Sequence, residues 1–107
     1  MAQRVFFLNR LREGVEPAAY ERFVREVDYP FALRLPTIRS YVVTRLDGRF
    51  DGGVAPYDYL EVVEITELEA YRKSLDPEGT PEVREFFEHW SRFVADSLVV
   101  YGEVIED

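Results

Sequence analysis

Apolar side chains recur along the chain with two different spacings, and these spacings predict most of its secondary structure. Residues 3 to 9, QRVFFLN, form a short β-branched and aromatic run, which predicts a strand covered on both faces. A helical face follows, with apolar residues at i, i+3, i+4 and i+7: Tyr20, Phe23, Val24 and Val27. We expect this helix to begin at Glu16-Pro17 and to end near Val27, because Pro30 disfavours the helical conformation in the residue before it.

The middle of the chain predicts two strands and a second helix. Ile38 to Arg45 and Tyr57 to Ile65 predict strands, and the glycine-rich segment LDGRFDGGVAP between them predicts a turn or an extended loop. Thr66 and Glu69 have the spacing of a capping box, in which each side chain bonds to the backbone N–H of the other residue. A helix is therefore expected to begin there and to end at the segment DPEG.

The last third of the chain contains the strongest helix pattern. Thr80-Pro81 is a cap followed by proline, a sequence that typically begins a helix. The apolar residues after it fall within about a third of the helical circumference; they are Val83, Phe86, Phe87, Trp90, Phe93 and Val94. Leu98 to Ile105 then predicts a fourth strand.

The predicted order of elements is β-α-β-β-α-β, with the second helix divided in two. This order predicts an α+β domain of the ferredoxin-like kind, in which a four-stranded antiparallel sheet carries its helices on one face. Val5 and Phe7 would then face one side of the sheet and Phe6 and Leu8 the other, and the central strands likewise have apolar residues on both faces. Because monomers rarely expose a large apolar patch, we expect a homodimer in which two sheets pack face to face.

Length, charge and composition narrow the class of protein. With 107 residues, 47% of them hydrophobic, the chain is expected to form one folded domain over residues 1–107. No apolar run approaches the ~20 residues that cross a bilayer, and a net charge of −8 opposes binding to nucleic acid or to anionic membranes. The chain has no cysteine and shows no signal peptide, which favours a cytoplasmic protein.

Metal and nucleotide sites are not indicated by the sequence. A single histidine without cysteine does not supply the ligands of a zinc or iron site, and the aspartates near the glycine-rich loop do not have calcium-loop spacing. The glycines of that loop precede a predicted strand, whereas phosphate-binding loops precede a helix. We therefore expect no metal and no nucleotide cofactor.

Two segments of the chain resemble a known superfamily. The segment YERFVREVDYPFALRLPTIRSY is similar to the helix-loop-strand pattern of the dimeric α/β-barrel superfamily. Its EthD-like branch has a His-x-Pro sequence after a similar helix, and Asp28 takes the place of that histidine here. Together with YDYLEVVEITELEAYRKSL, the segment EVDYP resembles more closely the RedY-like proteins of prodigiosin-type and bisindole pigment pathways.

This resemblance, which extends from Val5 through Tyr101, carries functional implications. It implies a dimeric α/β barrel with a small pocket between the sheet and the helices of each subunit. It also implies no tightly bound cofactor and a small aromatic substrate that is an intermediate of secondary metabolism. An upstream biosynthetic enzyme is a candidate partner.

Asp28 and His89 are the candidate catalytic residues. A carboxylate at a helix end beside aromatic residues can be partly desolvated, which raises its pKa toward the range useful for proton transfer. Aspartate before Tyr-Pro is also a common turn residue, and the resemblance favours the functional interpretation of Asp28. His89 lies at the rim of the apolar face of the last helix, where it can face a pocket or pair in solvent with Glu85 one turn back.

A glutamate and several aromatic residues complete the candidates. Glu61 interrupts an apolar strand, and cross-strand pairing with Arg39 or Arg45 competes with a catalytic role for it. Four aromatic residues are predicted near the cleft between helices and sheet and are candidates for substrate binding through stacking: Tyr29, Tyr41, Tyr59 and Trp90.

Three functional hypotheses follow from these residues and from the resemblance. The first is a cofactor-independent enzyme that directs cyclisation, dehydration or condensation of a bisindole or pyrrole-type intermediate by acid–base catalysis. The second is a non-catalytic protein that binds a hydrophobic pathway intermediate and hands it over. The third is a cofactor-free oxygenase.

Overall fold

Four antiparallel strands form a single sheet in the order β2-β3-β1-β4 in the computed structural model, which describes residues 2–107. The strands are β1 (Gln3–Leu11), β2 (Ile38–Arg45), β3 (Tyr59–Ile65) and β4 (Val94–Glu103). Buried and partly exposed residues alternate along β3, as expected for a strand with one face against a core. The α+β, ferredoxin-like prediction is confirmed.

The helices cover one face of this sheet. They are α1 (Pro17–Phe23), α2 (Tyr29–Leu33), α3 (Leu68–Ser74) and α4 (Pro81–Trp90). One buried cluster forms around Tyr20 and Tyr59, and a second forms around Val63 and Tyr71. No helix within residues 2–107 is long and apolar enough to span a membrane.

The first helix does not end at Val27, as the sequence pattern predicted. A π-helical turn, Val24–Asp28, joins α1 directly to α2, so the helical stretch continues through Pro30 to Leu33. The N–H of Tyr29 bonds to the carbonyl of Val24, five residues back. Pro30 consequently falls in the first turn of α2, where its missing N–H needs no partner. The wider turn therefore lets the helix pass a proline that would otherwise end it.

Two boundaries in the second half also differ from the prediction. Glu67, not Thr66, caps α3, and its side chain accepts from the N–H groups of Glu69 and Ala70. The cap predicted at Thr80 is observed, with its hydroxyl accepting from Val83. Strand β4 begins at Val94 and not at Leu98, because Val94 pairs with Leu11 of β1. Val94 fits the apolar periodicity of the last helix, but its backbone pairs with β1 and it therefore belongs to the sheet.

The face of the sheet away from the helices remains uncovered, as does much of the edge strand β4. Side chains there keep about half of their surface in solvent: Val42 54%, Leu98 48%, Val99 48%, Val100 44% and Tyr101 58%. Phe6 and Leu8 of the central strand β1 are only partly buried. The molecule thus presents the apolar surface that the strand pattern predicted.

Candidate active site

Two buried carboxyl groups meet at one tyrosine hydroxyl beneath the helices. The hydroxyl of Tyr41 lies 2.7 Å from Oδ2 of Asp28 and 2.6 Å from Oε1 of Glu61. Asp28 retains only 3% of its surface and Glu61 only 4%. We call these three residues the carboxyl–tyrosine cluster.

The backbone explains why these three side chains converge. Asp28 is the last residue of the π-helical turn, and its side chain points toward the sheet into a buried position. In the β2–β3 pairing, Val43 lies opposite Glu61 and Tyr41 lies opposite Val63, so Tyr41 and Glu61 are diagonal neighbours on one face. That face is the one the helices cover.

Strand β1 contributes a further polar residue, Asn9, which hydrogen-bonds to the cluster. Nδ2 of Asn9 donates to the second oxygen of Glu61, Oε2, and the hydroxyl of Ser97 lies 2.5 Å from Oδ1 of Asn9. Asn9 has no exposed surface. Asn9 was not among the residues predicted for the site, although alternation along β1 places it on the same inward face as Val5 and Phe7. A polar residue at an inward strand position was the available signal.

Glu61 does not form the cross-strand ion pair predicted with Arg39 or Arg45. Arg45 pairs instead with Glu21 and Asp47 near the surface. The reason is that Glu61 points inward from β3, whereas the guanidinium of Arg45 keeps 55% of its side-chain surface in solvent. Glu61 therefore hydrogen-bonds to the hydroxyl of Tyr41 and the side-chain amide of Asn9, where an arginine partner was predicted.

Burial dominates the electrostatics of the cluster. Loss of hydration, and then the charge of Glu61, raise the pKa of Asp28 to about 8, although the hydrogen bond from Tyr41 opposes the shift. Loss of hydration likewise raises the pKa of Glu61, against the opposing hydrogen bonds of Tyr41 and Asn9. The pKa of the Tyr41 phenol is raised well above its usual value by burial and by the two carboxyl groups.

The two contacts of the Tyr41 hydroxyl also constrain the protonation of Asp28 and Glu61. A phenol has one proton, so Tyr41 can donate to only one of the two carboxyl groups it contacts. The other contact is a hydrogen bond only if that carboxyl group is protonated and donates to the phenol oxygen. Like charges in one buried site also disfavour ionisation of both carboxyl groups. The pair therefore holds at least one proton.

The cluster opens into a cavity between the sheet and helices α2, α3 and α4. Its lining is mostly apolar and aromatic: Phe7, Asp28, Phe31, Ala32, Leu35, Ile38, Tyr41, Glu61, Tyr71, Leu75, Phe86, Phe87 and Trp90. About 40 Å³ is accessible to the centre of a water molecule. Pockets for drug-sized ligands are typically about 300 Å³ or more. The cavity as it stands therefore accommodates a reacting group and not a whole polycyclic molecule.

The other aromatic candidates occupy different places. Trp90 lines the cavity together with Tyr41. The Tyr29 ring packs edge-on against the Tyr41 ring at 5.5 Å, and its hydroxyl accepts from the N–H of Val43. Tyr29 thus packs against Tyr41 and is not among the residues that line the cavity. Tyr59 bonds to Glu21 at 2.6 Å and lines a separate surface groove.

His89 does not line the cavity that contains Asp28. It lies in an outer groove between α2 and α4, where its ring packs against Phe23 at 4.7 Å. Phe31 and Phe86 line both the cavity and the groove, and their rings stack in parallel at 4.1 Å. These two rings therefore separate the histidine from the carboxyl–tyrosine cluster.

The family of the chain follows from comparison with known sequences. The profile of the family described as REDY-like protein HapK matches residues 3–105. The chain belongs to the REDY-like HapK family. Curated proteins include no significant match.

Solved structures support the fold of this REDY-like protein. HapK from Hahella chejuensis is 24% identical, with a TM-score of 0.78 over 98% of this chain and 94% of that one. An EthD family protein from Bacillus halodurans is 17% identical, with a TM-score of 0.74 over 98% and 100% of the two chains. A dimeric ferredoxin-like protein of unknown function from Thermobifida fusca is 19% identical, with a TM-score of 0.69 over 97% and 92%. At these identities the likeness shows the fold alone.

Among residues 2–107, no three histidine, cysteine, aspartate or glutamate side chains are grouped as a metal site. The chemistry that the described residues themselves can supply is proton transfer. Asp28 is the group best placed for it, since Oδ2 bonds to Tyr41 and Oδ1 accepts no hydrogen bond within the described chain. Both oxygens of Glu61 are occupied.

Proposed function

We propose that this REDY-like protein is a cofactor-independent enzyme of secondary metabolism. It catalyses a cyclisation, dehydration or condensation of a bisindole or pyrrole-type intermediate by acid–base catalysis. Asp28 transfers the proton, and Tyr41 and Glu61 hold Asp28 and set its protonation. The alternative roles are those of a carrier and of an oxygenase, and measurements of pH dependence and oxygen consumption distinguish them from this one.

One observation carries this proposal: Asp28 is a buried carboxyl group with a raised pKa and one oxygen open to a cavity. General acids and bases work best when their pKa lies near the working pH. A pKa of about 8 leaves Asp28 mostly protonated at neutrality, with an ionised fraction that grows as pH rises. The second carboxyl group, Glu61, contacts the same Tyr41 hydroxyl.

The proposed chemistry balances without a co-reactant. In a dehydration, protonated Asp28 gives its proton to the leaving hydroxyl as the carbon–oxygen bond breaks, and water departs with the bonding electron pair. The ionised Asp28 then removes a proton from the cationic intermediate, which forms a carbon–carbon or carbon–nitrogen double bond. Asp28 ends in its starting state.

The substrate extends beyond the cavity in this proposal. Phe7, Tyr71 and Leu75 line both the cavity and an apolar groove beside β4. That groove offers about 380 Å³, which is within the range of ligand pockets. The reacting part of a bisindole would occupy the cavity while its second ring system lies in the groove.

Asp28→Asn tests the catalytic role. The amide keeps the shape of the side chain but cannot exchange the proton, so turnover should fall at least about tenfold, as expected for a general acid or base. Product formation from candidate bisindole and pyrrole-type intermediates is measured by liquid chromatography. Glu88→Gln, which changes an exposed carboxylate of α4, is the matched control.

A folded Asp28→Asn protein with wild-type turnover would refute the proposal. Circular dichroism and thermal unfolding establish that the variant is folded. His89→Gln tests the second sequence-based candidate. Because His89 lies outside the cavity, we expect its loss to lower turnover less than the loss of Asp28 does.

Two further measurements separate the alternatives. An enzyme of this kind loses rate as its proton-transfer groups titrate, whereas a carrier keeps its effect across the same pH range. An oxygenase consumes oxygen in proportion to product, which an oxygen electrode detects. Turnover that is independent of oxygen and dependent on pH agrees with the proposed acid–base enzyme.

We further infer that the chain works as a homodimer. The uncovered sheet face and β4 expose apolar side chains, and a structural relative is described as dimeric. Val100→Lys places a charge on this surface and should shift the molecular mass measured by light scattering from dimer to monomer. A monomeric wild-type protein would contradict the inference.

A further inference from the structure

The ionisable side chains around the cavity are all acidic. Asp28 and Glu61 are two buried carboxyl groups that contact one tyrosine hydroxyl. No lysine, arginine or histidine is among the residues that line the cavity. None of the ion pairs formed within residues 2–107 includes either carboxyl group. The two buried carboxyl groups are therefore without a cationic partner in the described chain.

The remaining hydrogen-bonding capacity of the cluster points to a donor from outside the chain. Both oxygens of Glu61 already have hydrogen-bond partners, Tyr41 and Asn9. Asp28 keeps only 3% of its surface exposed and lines the cavity. Its Oδ2 atom bonds to Tyr41, and no group of the described chain donates to its Oδ1 atom. A buried carboxyl oxygen gains most from a charged donor, because charge-assisted hydrogen bonds are the stronger kind.

The walls of the cavity favour a cation as well. Aromatic rings attract cations through the negative potential of their faces, more strongly where water is excluded. The rings of Phe31, Phe86, Phe87 and Trp90 line the cavity opposite the sheet. Their packing is tight, with Phe31 stacked on Phe86 at 4.1 Å and Phe87 edge-on to Trp90 at 6.0 Å.

We propose that the cavity recognises an organic cation, namely the protonated amine or iminium nitrogen of an aromatic compound, held by Asp28 and flanked by these rings. The volume of about 40 Å³ suits such a group. This inference deepens the proposed function, since it names the substrate class of the same site. It also explains how the site would stabilise the cation that forms when a leaving group departs.

Three probes of one shape test the charge preference. Benzylamine is a cation at neutral pH, benzyl alcohol is neutral, and benzoate is an anion. Trp90 is the only tryptophan of the chain and lines the cavity, so its fluorescence reports directly on binding. We expect benzylammonium to bind at least about tenfold more tightly than benzyl alcohol, as a charged hydrogen bond predicts, and benzoate to bind most weakly.

The variants separate recognition in the cavity from attraction by the whole protein. The net charge of −8 attracts any cation to the surface, but salt screens that attraction beyond about 8 Å at physiological ionic strength. Asp28→Asn should reduce the preference for benzylammonium over benzyl alcohol to within about twofold. Glu88→Gln makes the same acid-to-amide change on the exposed surface and should preserve the preference in 0.15 M salt, a concentration of about physiological strength.

Each outcome decides the inference independently of turnover. Equal binding of the amine and the alcohol, tighter binding of benzoate, or no saturable change with any of the three probes would overturn it. A preference that survives in a folded Asp28→Asn protein would overturn it too. Selective benzylammonium binding by a protein that fails the acid–base test would support cation recognition while removing the proposed chemistry.

Discussion

Two tyrosines of the chain bond to carboxyl groups at nearly equal distances but in opposite electrostatic settings. Tyr41 bonds to Asp28 and Glu61 inside the cavity, and Tyr59 bonds to Glu21 near the surface. The hydrogen bond from Tyr59, and then the charge of Arg45, lower the pKa of Glu21, whereas burial raises the pKa of Asp28. The comparison shows that a phenol contact does not by itself decide the protonation of a carboxyl group. Hydration and the presence of a counter-charge decide it.

Removing each hydroxyl in turn gives the largest contrast in stability. Tyr41→Phe removes the hydroxyl that Asp28 and Glu61 both contact, leaves buried polar atoms without a partner, and should lower the free energy of unfolding by about 1–3 kcal/mol. Tyr59→Phe leaves Glu21, whose side chain is 26% exposed, with water as a substitute, and should cost less than about 1 kcal/mol. Urea unfolding of both variants and the wild type measures the difference. Equal losses would show that burial does not distinguish the two sites.

The pH dependence of stability should have opposite signs at the two sites. A carboxyl group with a raised pKa takes up a proton on folding, so Asp28 weakens the fold as pH rises from its ordinary value of 3.8 to about 8. Relative to Asp28→Asn, the wild type should lose up to about 1.4 kcal/mol per pH unit within that window. Unfolding curves from pH 5 to pH 8, taken at intervals of about one unit, check this.

Glu21 provides the opposite case. Its pKa is lowered in the folded state, so its contribution to stability is complete above its ordinary pKa and is lost as pH falls. Glu21→Gln should therefore flatten the acid side of the stability curve and leave the range above pH 6, about two units higher, unchanged. A change in the neutral range that matches Asp28→Asn would contradict the contrast.

The smallest effect on stability is expected from replacing Arg45, and the salt dependence of that effect distinguishes the two sites. The Arg45 side chain is 55% exposed, and exposed ion pairs contribute little to stability. Arg45→Gln should lower stability slightly at low salt and have no effect at about 1 M salt, where the screening length is only about 3 Å. The loss caused by Tyr41→Phe should persist at high salt, because the cavity excludes the ions.

The order of elements was predictable because each follows from a local pattern. Alternation along β3 and the cap-plus-proline at Thr80 determine their elements within a few neighbouring residues. Asp28 was recognisable as a candidate from its position before Tyr29 and Pro30. Its actual placement was not, because the π-helical turn depends on how the wider helix packs on the sheet.

The partners of Asp28 were harder to predict because they come from different strands. Glu61 and Tyr41 are 20 residues apart, and Asn9 and Glu61 are 52 apart. Only the pairing register determines that they meet, so the sequence suggested an arginine partner for Glu61. His89 lies at the rim of the apolar face of its helix, as its spacing predicted. Helical periodicity could not show that the rings of Phe31 and Phe86 lie between it and the cavity.

The π-helical turn makes the length of one segment a marker of the site. A π turn contains one residue more than an α turn, so deleting one residue between Val24 and Asp28 would restore a regular α-helix. Everything before the deletion would then rotate by about 100° relative to everything after it. Either Asp28 would leave the cavity or α1 would lose its packing on Tyr59. In an alignment, a one-residue gap at this point would therefore separate relatives that keep an inward carboxyl group from relatives that do not.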